Sequence, residues 1–428
     1  MSEHRGHLRA ILRGRDFRLL YSTRVTGQFG DGLLQSALAT FILFSPERAP
    51  TAATVAASFA ILLLPYSIIG PFAGVLLDRW RRRQVLVRAN ILKGLLTVPV
   101  IAAVLAANDG PLLGVFVLLV LGVGRFILAG LSASLPHVVD ERNLVTANAF
   151  TPTSGTIGAA IGGGVGIGIR AVAGGGDQGS VVVLICAIAC YLAASAIALR
   201  IAVDRLGPDG SKPRDTLAGV LRGLIAGARQ LRAHPPASHG IGLVMAHRFE
   251  FGALTVAALL FLRNTYTTDV DEALGLFGAV TAAAAVGAFI GAVITPRMVR
   301  RIGFRAWPMI IAAQSALIGV PLVILAGVQS NLVALIAAAV SIGLAGQSVK
   351  VSADTLVQET IPDDFRGRVF AIFDMTNNVG LVAGVTAVAF LAPASGIAPV
   401  LYIGVALVLL LVVLWYGRAA TRWRLPAG

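Results

Sequence analysis

Apolar stretches of about 20 residues, the length a helix needs to cross ~30 Å of hydrocarbon, recur along almost the whole chain. They can be placed near 17–44, 51–76, 84–107, 111–135, 147–170, 180–203, 237–264, 272–297, 304–327, 331–358, 367–393 and 395–417. Twelve such runs, in 428 residues that are 56% hydrophobic and only 13% charged, exclude a soluble fold. The expected class is an all-α membrane protein of twelve transmembrane helices. Arg5, Arg9, Arg13, Arg15 and Arg18 lead straight into the first run without the pattern of a cleavable signal peptide, so that run is expected to remain as a helix.

Lys and Arg resist translocation and stay on the inner face. With the N-terminus placed inside, 27 of the 35 Lys and Arg fall on the inner side and three (Arg48, Arg170, Arg263) outside, which orients the chain with both termini cytoplasmic. Trp80, Trp307, Trp415 and Trp423 fall at or beyond the inner ends of spans, where amphipathic indoles settle. Only Lys93, Lys212 and Lys350 are lysines, a bias of GC-rich genomes, and the bacterial cytoplasmic membrane is the expected location. Cys186 and Cys190 stand four apart in one apolar run and imply neither a disulfide framework nor a metal site.

One long polar connection, Leu206 to His239, divides the chain into six-helix halves, 1–203 and 237–428, joined by a linker over 204–236. Within the linker Leu217, Val220, Leu221, Leu224, Ala228 and Leu231 recur at helical spacing among Arg222, Arg229 and Arg232, the pattern of an amphipathic helix on anionic inner-leaflet lipids. The halves repeat at an offset of 220. Gln28 to Phe41 aligns with Arg248 to Phe261, and Asn148-Ala149-Phe150 with Arg368-Val369-Phe370, the parallel repeat of two-bundle transporters.

Between the second and third runs, Gly74, Asp78, Arg79, Arg82 and Arg83 form a short motif with Arg81 inside it. Arg125 precedes a small-residue run with Gly130 and Ser134, and Gly158, Gly162 and Gly163 punctuate the fifth run. With these motifs the chain resembles the major facilitator superfamily, and within it the twelve-helix drug:proton antiporter branch with its macrolide and siderophore exporters. Leu135-Pro136-His137-Val138-Val139 and Ile361 to Arg368 look like segments of the same subgroup. Two positions depart: Arg81 stands where the loop motif has a second Gly, and Ala159 where antiporters carry Pro. The resemblance implies alternating access around a cavity lined by spans 1, 4, 7 and 10, with Asp78 as a latch against the start of span 11 near Gly367. It implies that Arg79, Arg82 and Arg83 can pair with Asp140, Glu141 or headgroups. Around Arg300 to Arg305 the second-half copy of the loop lacks the acid.

A charge at the centre of a spanning helix costs ~2.5–3.5 kcal/mol, so each one present must be paired, wetted or used. Asp31 lies mid-way along span 1 and Arg125 about as deep in span 4, and an Asp31–Arg125 pair is expected as the proton-coupling element. Glu250, beside Arg248, either faces the cavity from span 7 or pairs locally with Arg248 or His247. Arg24, seven residues before Asp31 and on its helical face, either extends this network or snorkels to headgroups. Lys350 and Asp354, four apart, are expected to neutralise each other, with Asp374 and Lys93 as further inner-half network residues. Glycines spaced by four (Gly70/Gly74, Gly158/Gly162, Gly287/Gly291, Gly380/Gly384) allow close helix approach.

No nucleotide loop, metal cluster or nucleophile–base arrangement stands in the sequence, so neither an enzyme nor a cofactor is expected. The expected partners are protons, a small-molecule substrate and the lipid bilayer, with no nucleic acid, and the resemblance implies a monomer. The reading is a proton-coupled exporter of an amphiphilic molecule such as a drug, siderophore or lipid. A uniporter or importer of a small metabolite keeps the fold with other chemistry, and a non-transporting sensor or scaffold is the alternative of another class.

Overall fold

The computed structural model describes residues 12–43, 80–108, 110–207 and 217–423, and all their regular structure is helical. In chain order the elements are α1 (Arg15–Leu43), α2 (Arg82–Leu105), α3 (Pro111–Ser134), α4 (Glu141–Val172), α5 (Gly176–Leu199), α6 (Leu217–Ala233), α7 (Pro235–Phe261), α8 (Val270–Gln314), α9 (Val320–Gln329), α10 (Leu332–Thr360), α11 (Asp363–Leu391) and α12 (Pro399–Ala420). Nine helical segments among the described residues are long and apolar enough to cross a membrane. The expected second span, 51–76, lies outside the described residues, as do Gly74, Asp78 and Arg79.

Several helices run past the apolar stretches that announced them, because backbone hydrogen bonding does not stop at the hydrocarbon boundary. α4 begins at Glu141 against an expected 147, and α11 at Asp363 against 367. Pro362 occupies the N-cap of α11, and Asp364 follows in the turn where the helix dipole is positive. Spans eight and nine are joined in α8, where Gly303 adopts φ +83°, a left-handed backbone that turns the chain without a loop. Trp307 donates its Nε1–H to Thr295 Oγ1 at 3.2 Å across that turn. Its indole is buried in the protein.

The chain separates into two compact units, with the boundary inside α6 between Val220 and Leu221. In the first, α1 packs on α4 and α5, and α2 on α3 and α5. Phe17, Leu20, Leu86, Ile127, Leu131, Leu135 and Leu206 form an apolar cluster there, with Tyr21 stacked on Phe150 at 5.3 Å. In the second, α7 is the central helix, packed on α10, α11 and α12, while α8 lies along α10.

Glycine sets these contacts. In the first unit the Cβ position of Gly162 on α4 falls onto the carbonyl of Phe29 on α1, and that of Gly32 onto the carbonyl of Ala159. In the second, Gly384 on α11 meets the carbonyl of Phe249 on α7, and Gly252 meets that of Leu381. The offset of 220 carries Phe29 to Phe249 and Gly32 to Gly252, so the repeat read in the sequence is also a repeated contact. α8 and α10 form a third seam, with Gly287, Gly291 and Gly343 against the carbonyls of Val340, Leu344 and Ala284. With lipid tails as apolar as leucine, such van der Waals fit is what holds membrane helices together.

A methyl group at these seams has to displace backbone, for which overpacking costs of about 1–3 kcal/mol are a lower guide. Gly32→Ala and Gly252→Ala should each lower the melting temperature of the detergent-purified protein by several degrees. Gly164→Ala, whose added methyl meets nothing within 4 Å, should leave it unchanged. Equal melting temperatures for all three would remove the seams as the source of helix packing.

Candidate functional site

Three side chains converge inside the first unit. Asp31, in the seventeenth position of the 29-residue α1, forms an ion pair through Oδ1 with Lys93 Nζ from α2. Tyr191 of α5 donates its hydroxyl to the same Oδ1 at 3.0 Å and to the Gly30 carbonyl at 3.1 Å. The ammonium also lies 4.6 Å from the Tyr191 ring centroid, within cation–π range. Lys93 gets there because α3 carries glycine at 124: a Cβ at that position would stand 2.8 Å from Nζ. The lysine side chain is 3% exposed and the aspartate 18%, so the cation is enclosed while the acid keeps one open edge.

The sequence reading expected Arg125 as the partner of Asp31 and left Lys93 to an inner-half network. In the structure the aspartate is held by Lys93 and Tyr191, and Arg125 is half-buried on α3, one residue past Gly124. The geometry explains the exchange. α1 and α2 both pack on α5, and the four-carbon lysine stem spans the remaining gap along the Tyr191 ring. Depth made Lys93 a candidate beside Arg125 without deciding between them: it is the twelfth of 24 residues in α2, as central as Asp31 is in α1.

Two turns from Asp31, Arg24 is 7% exposed and does not snorkel. Its Nε donates to Gln28 Oε1 at 3.2 Å and its Nη1 to Thr151 Oγ1 at 3.3 Å, tying α1 to α4. Gly158 packs against Val25 of α1, and Gly163 lies 3.8 Å from the Gly32 carbonyl by its Cβ direction, so the glycine motif of the fifth span serves this same helix contact.

Of the loop motif, Arg82 and Arg83 are described. Arg82 Nη1 donates to the carbonyls of Ala133 (3.0 Å) and Leu206 (3.2 Å) and lies 2.7 Å from His137 Nε2, while Arg83 Nη2 donates to Leu199 O at 2.8 Å. The sequence reading sent both arginines to Asp140, Glu141 or headgroups. In the structure both reach carbonyls at the C-terminal ends of α3 and α5 and just beyond, where the helix dipole attracts cations. Arg81, in place of the motif's usual glycine, pairs with Asp204 at 3.4 Å with both side chains mostly exposed, a contact worth at most ~1 kcal/mol.

In the second unit Glu250 has no solvent exposure. Ser315 Oγ donates to its Oε2 at 2.8 Å, and His247 Nε2 lies 3.6 Å from that oxygen. The cavity-facing reading of Glu250 is therefore replaced by the local one, with His247 as the neighbour on its helical face. Arg248 turns elsewhere and sits 5.7 Å from the Phe251 ring centroid. Lower on α10, Lys350 and Asp354 pair at 2.7 Å as their spacing required, and Lys350 also lies over Phe373 of α11 at 5.6 Å. Asp374, the next residue on α11, is exposed.

Residues 8–426 match the protein family described as transmembrane secretion effector. An uncharacterised MFS-type transporter of Mycobacterium tuberculosis (strain ATCC 25618 / H37Rv) is 37% identical over 391 residues, covering 90% of this chain and 87% of its own. The chain belongs to the major facilitator superfamily. A Mycobacterium bovis transporter described in the same words matches to the same extent. Among solved structures, a bacterial homologue of the human lysosomal transporter Spinster, in an inward-facing and unoccupied conformation, superimposes with TM-score 0.72 at 16% identity, covering 96% of this chain and 99% of that one. The nucleoside transporter NupG gives 0.68 at 14% identity over 95% and 99%. A POT family peptide transporter gives 0.67 at 14% over 96% and 98%. At these identities the likeness is one of fold. This chain is a multi-pass membrane transporter of the major facilitator type.

Removing one partner of a buried ion pair costs ~3–5 kcal/mol because the other charge is stranded. Lys93→Met should therefore destabilise the purified transporter more than the double variant Asp31→Asn/Lys93→Met. Thermal unfolding of the four members of this cycle tests it, and additive losses would show that the two side chains do not interact.

Proposed function

We propose that this transporter is a proton-coupled exporter of an amphiphilic small molecule, working by alternating access, with Asp31 as the proton-coupling carboxylate. The observation that carries the reading is the Asp31–Lys93–Tyr191 cluster. An acid central to a spanning helix is held by an ammonium and a phenol, yet keeps an edge open. Protonation of Asp31 releases Lys93, and deprotonation recaptures it, so proton exchange switches a contact between α1 and α2. The direction rests on the family description of transmembrane secretion, and the substrate class on the scarcity of fixed charge in the apolar spans.

The remaining parts of the reading follow from the resemblance and the charge pattern. Both termini are placed in the cytoplasm of a bacterial inner membrane, and Asp78 acts as the latch of its loop. The exposed side of α6, with Leu221 and Ile225 beside Arg222, Arg229 and Arg232, suits anionic headgroups. Its other side is committed, since Gly223 and Gly227 pack on Arg368 of α11.

The test uses proteoliposomes with an imposed pH gradient and a pH-sensitive dye trapped inside, challenged with fluorescent amphiphilic compounds. Wild type should move dye and protons together. Asp31→Asn should abolish gradient-driven movement while leaving dye-for-dye exchange, and Asp78→Ala should slow both. Gradient-driven transport unchanged in Asp31→Asn would remove Asp31 as the coupling site. Flux without proton movement would favour a uniporter, and binding without flux a sensor or scaffold.

A further inference from the structure

The second unit contains a polar cluster that the Asp31 reading does not use. Glu250 and His247, one turn apart on α7, are 0% and 2% exposed. Glu250 Oε2 accepts from Ser315 Oγ, while its Oε1 has no hydrogen-bond partner. His247 bonds the backbone of Ile342 on α10, and its Nε2, 3.6 Å from Glu250 Oε2, has no hydrogen-bond partner either. Nε2 is thus the ring nitrogen left facing the carboxyl without a partner. Gln314 Oε1, next to Ser315, and Ser348 Oγ, two residues past the Gly346 that makes room for the imidazole, are also buried without partners.

A lone carboxylate with one neutral donor is costly in such an interior, so the pair favours keeping one proton until alkaline buffer removes it. Two arrangements are compatible with the geometry. In one, Glu250 is protonated and its O–H points at the bare Nε2. In the other, that O–H bond is broken, an N–H bond is formed at Nε2, and carboxylate faces imidazolium. Both contain one proton, and the transfer between them needs no other reactant.

We propose that Glu250 and His247 together hold a single exchangeable proton in the interior of the second unit, a proton-binding site separate from Asp31. Among the described residues no other charge forms an ion pair with Glu250 or His247, although the field of the neighbouring Arg248 guanidinium acts on the imidazole. On α7, Arg248 is turned to Phe251, and α10 brings Lys350, already paired with Asp354. Ser315, just past the end of α8, donates to Glu250, and α9 contains no titratable side chain. On α11 the last ionisable residue is the exposed Asp374, and from α12 the Tyr402 and Tyr416 hydroxyls are spent on the carbonyls of Gly396 and Phe304, with Arg418 at its far end. Ser315 opens a π-helical turn, Ser315–Gly319, between α8 and α9. Such turns collect at functional positions. The proton thus sits where three helices and an irregular turn meet.

Infrared difference spectra of the full-length protein in nanodiscs, recorded between acidic and alkaline buffer, read this site directly. Wild type should show a titrating band, either the carbonyl stretch of a protonated carboxyl or the ring mode of an imidazolium. That band should be lost in both Glu250→Gln and His247→Gln. Ser315→Ala keeps both members of the pair and removes a hydrogen bond to Oε2, so a carboxyl band should persist and move to higher wavenumber, while an imidazolium mode should titrate at a different pH. The band should survive in Asp31→Asn, so failure of the coupling reading leaves this test intact. A spectrum with no titrating band removed by Glu250→Gln, or a band unmoved by Ser315→Ala, overturns the proposal.

Discussion

Charge buried in hydrocarbon has to be neutralised within a few ångströms, and this requirement arranges the interior of each unit. In the first, Lys93 crosses from α2 along the Tyr191 ring to Asp31, its ammonium lying close to the Cβ position of Gly124. In the second, Glu250 is sealed with a serine and a histidine. The arginines show two further solutions. Arg24 is satisfied by neutral oxygens of Gln28 and Thr151, and Arg82 and Arg83 by carbonyls near helix ends. An amide or hydroxyl oxygen can hold a guanidinium in place, but leaves its full charge.

The helices can come close enough for these contacts because their seams are glycine against carbonyl. Phe29 and Phe249 each present a carbonyl to a glycine of the helix alongside, and Gly32 and Gly252 return the contact. Sequence repeats in membrane proteins are usually seen as hydropathy, a coarse property that many residues satisfy. Here the repeat extends to the atoms that set interhelical distance, which is why an alignment built on little more than Phe-x-x-Gly picked out the right register.

How far the sequence could be read depended on how local the governing physics was. Apolar runs, the 220-residue offset, the amphipathic α6 and the Lys350–Asp354 pair each follow from neighbours in sequence, and each was legible. Helix ends were less so, because Glu141 and Asp363 extend their helices beyond the apolar stretch. Pairing between helices was harder still. Asp31 has two candidate cations at similar depth, and the choice of Lys93 over Arg125 depends on Gly124 and Tyr191, residues with no charge pattern to announce them. His137 and His247 carried little signal in the sequence, yet one meets Arg82 and the other Glu250. Asp78, for which the resemblance implies a latch, lies outside the described residues.

The two acids also explain how equivalent halves come to differ. An offset of 220 places Phe251, not Glu250, at the counterpart of Asp31, and Glu250 at the counterpart of Gly30. One residue along a helix is a rotation of about 100°. Position 30 points at α5, where any Cβ would run into Tyr191, and the side chain at position 250 reaches Ser315 just past α8. The carboxylate of the first unit therefore keeps an open edge, while that of the second is enclosed by its own helices. A repeated backbone with an acid displaced by one residue gives two carboxyl environments of opposite accessibility, Asp31 18% exposed and Glu250 fully enclosed.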